Sequence, residues 1–344
     1  MNTRLILLGT CAAFSVGVHA ATQLRPRAPQ SLKIEGPAPL GVYQGAGCDG
    51  VNRLREFEHW FGSKPDLVVD FLSWQPLRQA SVWAPKCWAD AGQKTVVYSL
   101  PMLPDDHSAT LADGAAGHLD EIFRNYAAVL VRYGYADSVI RIGWEFNGNW
   151  YPWQAQKDPQ SWIAYWRRIV TAMRQVPGAH FRFDWNAAAG GGFNAEQVYP
   201  GDEYVDIIGL DFYNESWDPK ITSPEARWEK QFNEPNGPQW QRDFARAHNK
   251  PISFPEWGTG KRPKGFGGGD DAYFIRKMAQ WIAANDVAYH DYWDYAAPDY
   301  NARLSDGHQP AAAAAFLEAF AANRKSSATG EFPEPAGTQP VAGQ

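Results

Sequence analysis

Four carboxylates stand where apolar, strand-like runs give way to polar turns: Glu145, Asp184, Asp211 and Glu256. Glu145 lies in RIGWEFNGNWYPW, residues 141–153, where Trp144, Trp150, Tyr151 and Trp153 crowd it. A charged side chain among so many rings is costly unless it is paired or used. Glu256 closes PISFPE and is followed by Trp257 and Gly258, the same arrangement on a second run. Taken singly, either glutamate reads equally well as a solvated strand end or as a partner of Arg141. Taken together, two carboxyl groups can flank a glycosidic bond. At a separation of about 5–5.5 Å one attacks the anomeric carbon while the other protonates the leaving oxygen, with retention of configuration. The protonating member needs a raised pKa, and an aromatic wall around Glu145 with a negative Glu256 nearby supplies one.

Those residues need a scaffold that brings two distant strand ends together. Strand patterns fall at Leu40–Gln44, Leu67–Leu72, Thr95–Leu100, Val139–Trp144, Phe181–Trp185, Val205–Phe212, Pro251–Glu256 and Val287–Tyr295. Runs such as VVYSL and VDIIGLDF are almost continuously apolar, as strands covered on both faces must be. Helical periodicity fills most gaps, at Arg53–Phe61, Leu119–Tyr133, Gln160–Arg174, Glu225–His248, Asp271–Asn285 and Ala311–Asn323. Eight alternating units predict an α/β fold of the (β/α)8 TIM-barrel type, with the site at the C-terminal ends of the strands. Glu145 and Glu256 would then end strands four and seven, facing each other across the mouth.

The chain of 344 residues carries a net charge of -6, which argues against a nucleic-acid partner. Its 44% hydrophobic and 20% charged residues exclude disorder as the main state. The 16 Trp, 15 Tyr and 18 Phe suit either sugar handling or bulky core packing. Gly45 to Gly50 spell G-x-G-x-x-G after a strand, with Asp70 closing the next one, which is the spacing of a dinucleotide site. The count of eight strands and a cysteine inside the loop favour instead a sharp first barrel turn.

Residues 1–20 read as a signal peptide: Arg4, an apolar run from Leu5 to Val18, and the small-residue site Val18-His19-Ala20. Cys11 within LLGTC is a weaker match to a lipidation site. A flexible segment follows over 21–39, the catalytic domain spans 40–323, and a disordered tail occupies 324–344. A secreted or periplasmic location is expected, with no membrane span in the mature chain. The two remaining cysteines, Cys48 and Cys87, are expected to form a disulfide in an oxidising compartment. They form no C-x-x-C pair, and His59, His107, His118 and His290 lack metal-like spacing, so no metal or organic cofactor is expected.

The chain resembles glycoside hydrolase family 26, the β-mannanase-type retaining glycosidases of the large (β/α)8 clan. The likeness follows the whole barrel and is sharpest from Glu145 to Trp153, where a catalytic Glu, an apolar residue, Asn147, Gly148 and a Trp/Tyr-rich turn match the family pattern. It implies that Glu145 is the acid/base and Glu256 the nucleophile. It also implies that Tyr213 hydrogen-bonds the nucleophile and that Trp293 stacks on sugar. One departure is Trp144, where the family usually has His. An indole offers a donor only, and more bulk. Mannan as substrate is therefore less secure than the reaction type, and β-glucan, xylan, a bacterial exopolysaccharide or a non-catalytic carbohydrate-binding barrel remain open. The candidate substrate contacts are Trp144, Asn147, Trp150, Trp153, Asn186, Asp211, Tyr213, Trp257 and Trp293, with Trp74 and Trp217 as weaker platforms. For Asn186 and Asp211, capping and turn roles fit equally well. The implied partner is a polysaccharide or oligosaccharide, acted on internally by a monomer.

Overall fold

The computed structural model describes residues 37–75, 79–190 and 192–321. The expected signal peptide and C-terminal tail lie outside the described residues. Eight parallel strands form a closed barrel: β1 (Leu40–Tyr43), β2 (Leu67–Phe71), β3 (Val96–Leu100), β4 (Val139–Ile142), β5 (Arg182–Ala188), β6 (Ile207–Tyr213), β7 (Ile252–Gly258) and β8 (Val287–Trp293). Each strand pairs with its neighbour in sequence, and β1 closes the ring on β8 with Leu40 opposite His290 and Tyr43 opposite Trp293. A two-stranded ribbon, Trp74–Gln75 against Gln79–Ala80, follows β2. All eight barrel strands fall where apolar runs predict them.

The pleat divides each strand between two cores. Leu67, Val69, Val97, Val139, Ile207 and Tyr289 point inward and fill the barrel near the N-terminal ends of the strands. Outward-facing residues such as Val42, Val68, Tyr98, Ile140, Phe183, Ile208 and Phe254 pack against the helices. Those helices are α1 (Gly47–Phe61), α2 (Trp83–Asp90), α3 (Leu111–Ala116), α4 (Asp120–Arg132), α5 (Pro159–Arg174), α6 (Pro224–Asn233), α7 (Pro238–Ala247), α8 (Ala272–Ala284) and α9 (Pro310–Phe316). In α5, Asp158 caps the first turn by accepting from the Ser161 amide at 3.1 Å. Trp162, Tyr165, Trp166, Ile169 and Met173 then form one buried stripe, so its tryptophans are packing residues.

The single helix expected over 225–248 is two. Pro235 and the Gly237-Pro238 pair break the amide ladder, and Asn236 reverses the chain at φ 54° before Pro238 opens α7. Two short helices carry no clear periodicity, α2 and α3, although Thr110 and Asp113 do form a capping box at the start of α3. The last predicted helix ends at Phe316 and continues as a π-turn over Leu317–Ala321. Among the described residues no helix is long and apolar enough to cross a membrane.

The glycine-rich turn after β1 is a structural brace. Asp70 Oδ2 accepts from the Gly47 amide at 2.7 Å and from the Trp88 indole, and a Cβ on Gly50 would meet the Gly45 carbonyl oxygen at 2.1 Å. Cys48 in α1 is disulfide-bonded to Cys87 in α2 with Cα atoms 5.0 Å apart, fastening the same corner.

Candidate active site

The floor of the site is one buried cation. Arg141, fully enclosed in the middle of β4, makes five hydrogen bonds across the barrel interior to four acceptors on four strands. Its Nη1 donates to Ser99 Oγ at 2.8 Å, and Nε and Nη2 both donate to Asn186 Oδ1, at 2.9 and 2.6 Å. Nη2 also donates to Asp211 Oδ2 at 2.7 Å and Glu256 Oε1 at 2.9 Å. A buried guanidinium is tolerable only when its donors and charge are met in this way. Burial disfavours its charge, but Asp211 and Glu256 outweigh that and raise its pKa.

Glu256 is held at both oxygens. While Arg141 takes Oε1, the Tyr213 hydroxyl donates to Oε2 at 2.8 Å. The hydrogen bonds leave the carboxylate fixed in rotation, at the C-terminal end of β7, with its side chain 8% exposed.

Glu145 is placed by a turn rather than by a strand. β4 ends at Ile142, and the chain passes through positive φ at Gly143 (51°) and again at Glu145 (53°). A Cβ on Gly143 would stand 2.5 Å from the Met102 sulfur, so only glycine fits there. The left-handed backbone at Glu145 costs about 1–3 kcal/mol. It is held by two backbone hydrogen bonds, from the Glu145 amide to the Asn186 carbonyl at 2.9 Å and from the Gly148 amide to the Glu145 carbonyl at 3.0 Å. The side chain then meets the Trp150 indole, whose N–H donates to Oε2 at 2.7 Å. Burial first, and the negative charge of Glu256 second, push the Glu145 carboxyl up to about 8, against opposing pulls from Trp150 and Arg141. The pair therefore holds one protonated and one hydrogen-bonded carboxyl group near neutral pH, the division of labour that acid-assisted displacement requires.

Aromatic rings line the mouth. Trp293 stacks on Tyr43 with centroids 4.0 Å apart and meets Tyr213 edge-on at 6.3 Å. Phe71 packs its edge against both Trp144 and Trp293. Among the described residues no three His, Cys, Asp or Glu side chains converge as a metal site would require.

Comparison with known proteins points to the same family. Residues 94–232, from the start of β3 into α6 and including Glu145, match the model of glycosyl hydrolase family 26. That match spans 139 of the 344 residues. Endoglucanase H of Acetivibrio thermocellus is 25% identical over 288 residues, 78% of this chain but 29% of that protein. The chain thus spans less than a third of the length of this relative. The fold is shared with a mannanase from Bacillus subtilis, at a TM-score of 0.57 and 17% identity over 81% of this chain and 85% of the other. It is shared equally with a family 26 β-mannanase from Bacteroides ovatus, at a TM-score of 0.56 and 14% identity over 83% and 88%.

Within the barrel the predicted residues separate. Glu145, Glu256, Tyr213, Trp150 and Trp293 gather at the mouth, Trp150 being 54% exposed. Trp144 forms part of the wall there and gives its one donor to the Tyr151 hydroxyl at 2.9 Å. Other predicted contacts are placed elsewhere. Asn186 and Asp211 are buried beneath Glu256, where both Asp211 oxygens and the Asn186 carbonyl oxygen accept hydrogen bonds from within the Arg141 network. Asn147 spends its amide on the Ala188 backbone, donating to the carbonyl and accepting from the N–H at 2.8 Å each. Trp153 is 2% exposed, stacked under Tyr151 and donating to the Trp144 carbonyl, so it supports the wall and presents no face to a ligand. Trp257 follows an inward Glu256 and must point outward, where it is buried among Phe274, Tyr292 and Phe316.

Asp184 is likewise no strand-end carboxylate: it lies inside the barrel, accepting from Ser253 and Tyr289 at 2.6 Å each. The side chain of Trp74 lies outside the described residues. The residue that sequence reading undervalued is Arg141, named there only as a possible ion-pair partner. Its signal was a charged residue flanked by isoleucines inside VIRI, a strand covered on both faces.

Proposed function

We propose that this protein is an exported family 26 glycosidase that cleaves a β-linked polysaccharide, of the mannan type, within the chain and with retention of configuration. The observation that carries the reading is a Glu256 whose two oxygens are fixed by Arg141 and Tyr213, at a mouth it shares with Glu145 on the Trp150 indole; the raised pKa of Glu145 agrees with it. In the first step a Glu256 oxygen forms a bond to the anomeric carbon as the glycosidic C–O bond breaks, and the Glu145 proton passes to the departing oxygen. In the second, Glu145, now a carboxylate, takes a proton from water whose oxygen attacks the same carbon and releases Glu256. The apolar run from Leu5 to Val18 and the Cys48–Cys87 disulfide support export.

A second reading, a β-glucan substrate, is favoured by Trp144 at the position where the family usually carries His and by the endoglucanase relative. The test is release of reducing ends from galactomannan, mixed-linkage β-glucan, xylan and bacterial exopolysaccharides, with proton NMR of the first anomer formed. A β product appearing before mutarotation supports double displacement, and an α product sinks it. Binding to these glycans without release of reducing ends from any of them would make the protein a carbohydrate-binding barrel instead.

A further inference from the structure

Among the described residues the large apolar side chains left exposed are Val82, Trp83, Trp150 and Trp217, all in segments that follow the C-terminal ends of β2, β4 and β6. Exposed aromatic surface is thus gathered on the face that carries Glu145 and Glu256. Scattered exposed apolar groups need no explanation, but segregated ones mark a binding surface. Trp217, which the sequence offers only as a weaker platform, is the most exposed of them, at 60%, and it stands in the loop after β6, outside the cluster around Glu145 and Glu256.

That loop is built to hold its indole still. At its root, the Asn214 amide donates to Thr259 Oγ1 and Asp271 Oδ2 at 2.9 Å each, and Arg227 donates to Asn214 and Asp271 at 2.8 Å. Further along, Arg262 from the loop after β7 pairs with Glu215 at 2.9 Å and with Asp299, in the loop after β8, also at 2.9 Å. Its guanidinium lies 5.0 Å from the Trp217 ring centre and 5.7 Å from that of Tyr300, and Phe266 flanks Trp217 at 5.3 Å. One clamped cation therefore backs the indole and ties three loops together. Contacts run on from there to the reaction centre: Tyr300 meets Tyr213 edge-on at 5.1 Å, and Tyr213 holds Glu256. Ser216, Asp218, Lys261, Lys264 and Phe266 border an adjoining cleft of about 760 Å³, offering polar groups beside the flat ring.

We propose that Trp217, backed by Arg262, is a stacking platform for a sugar residue remote from the bond that is cleaved. A flat ring with polar neighbours suits the C–H face and hydroxyl rim of a neutral pyranose, and a ring already immobilised loses little entropy on binding. The occupant is the same polysaccharide chain that reaches Glu145 and Glu256, because Trp217 lies on the same face of the barrel and is tied through Arg262 and Tyr300 to Tyr213, which holds Glu256. This inference rests on the glycosidase reading above and extends it from one bond to a length of chain.

The test compares wild type, Trp217→Ala and Trp217→Phe on tri- to hexasaccharides of whichever of galactomannan, mixed-linkage β-glucan or xylan the wild type hydrolyses. The expected result is a KM about tenfold higher for Trp217→Ala on substrates long enough to reach the platform, at unchanged kcat, with Trp217→Phe restoring most of it. A KM change of equal size at every length, or none at any length, overturns the proposal. Hydrolysis of none of these substrates by the wild type brings down the glycosidase reading itself, and the platform with it.

Discussion

Arg141 Nη2 donates to Glu256 Oε1 at 2.9 Å, joining the middle of β4 to the end of β7 through the barrel interior. The same nitrogen serves Asp211 and Asn186, so the Glu256 carboxylate is set by a cation that also holds three other strands in register. Replacing Arg141 by Met leaves two buried acids without their counter-ion. The expected loss of stability is about 3–5 kcal/mol, since breaking one side of a buried pair strands the other. Turnover should fall by about a hundredfold from misplacement of Glu256 alone. Urea denaturation and kcat on the hydrolysed substrate measure the two effects, and a variant as stable as wild type contradicts this account of the floor.

Glu145 should leave its mark on stability as well as on rate. Its carboxyl titrates at about 8 in the folded chain against an ordinary 4.5, so the folded state binds the proton more tightly than the unfolded. Stability contributed by this group is full below the ordinary value and is lost as pH rises from about 4.5 to about 8, with no further change above. Glu145→Gln is neutral throughout. Its melting temperature should therefore gain on wild type progressively across that window, and a constant difference would contradict the assignment.

Trp150 tunes that same proton. Its indole N–H favours the ionised form of Glu145, so Trp150→Phe should raise the Glu145 pKa further. The alkaline limb of kcat/KM, which reports the free enzyme's acid, should move to higher pH. A shift toward lower pH would show that the indole does not act on Glu145.

The Cys48–Cys87 bridge closes a loop with a sequence separation of 39 at the corner held by Asp70 and Gly47. Cys48→Ala/Cys87→Ala should lose about 2–4 kcal/mol, mainly through a less restricted unfolded chain. Because the bridge lies away from the acid pair, the pH profile of the folded double variant should match wild type, which separates stability from chemistry.

The strands were legible in the sequence because a barrel strand is buried on both faces, and that leaves a run of apolar residues requiring no knowledge of its neighbours. The helix break at Pro235 and Gly237-Pro238 was equally local and could have been read from those residues. The two glutamates were legible because a charged group at the end of an apolar run among tryptophans stands out at the level of composition. The sequence alone thus determined the kind of fold and the pairing of Cys48 with Cys87, and it singled out Glu145 and Glu256 as candidates. What each aromatic and amide does was decided by the tertiary structure. Trp150 and Trp153 are three residues apart, yet one is exposed beside Glu145 and the other is sealed under Tyr151. Asn147 and Asn186 look alike as candidate sugar contacts, but one ties down the Ala188 backbone and the other accepts from Arg141. Residue type sets what a side chain can donate or accept. Which partner it meets depends on strand pleat, turn geometry and contacts more than forty residues away, and those exist only once the barrel has closed.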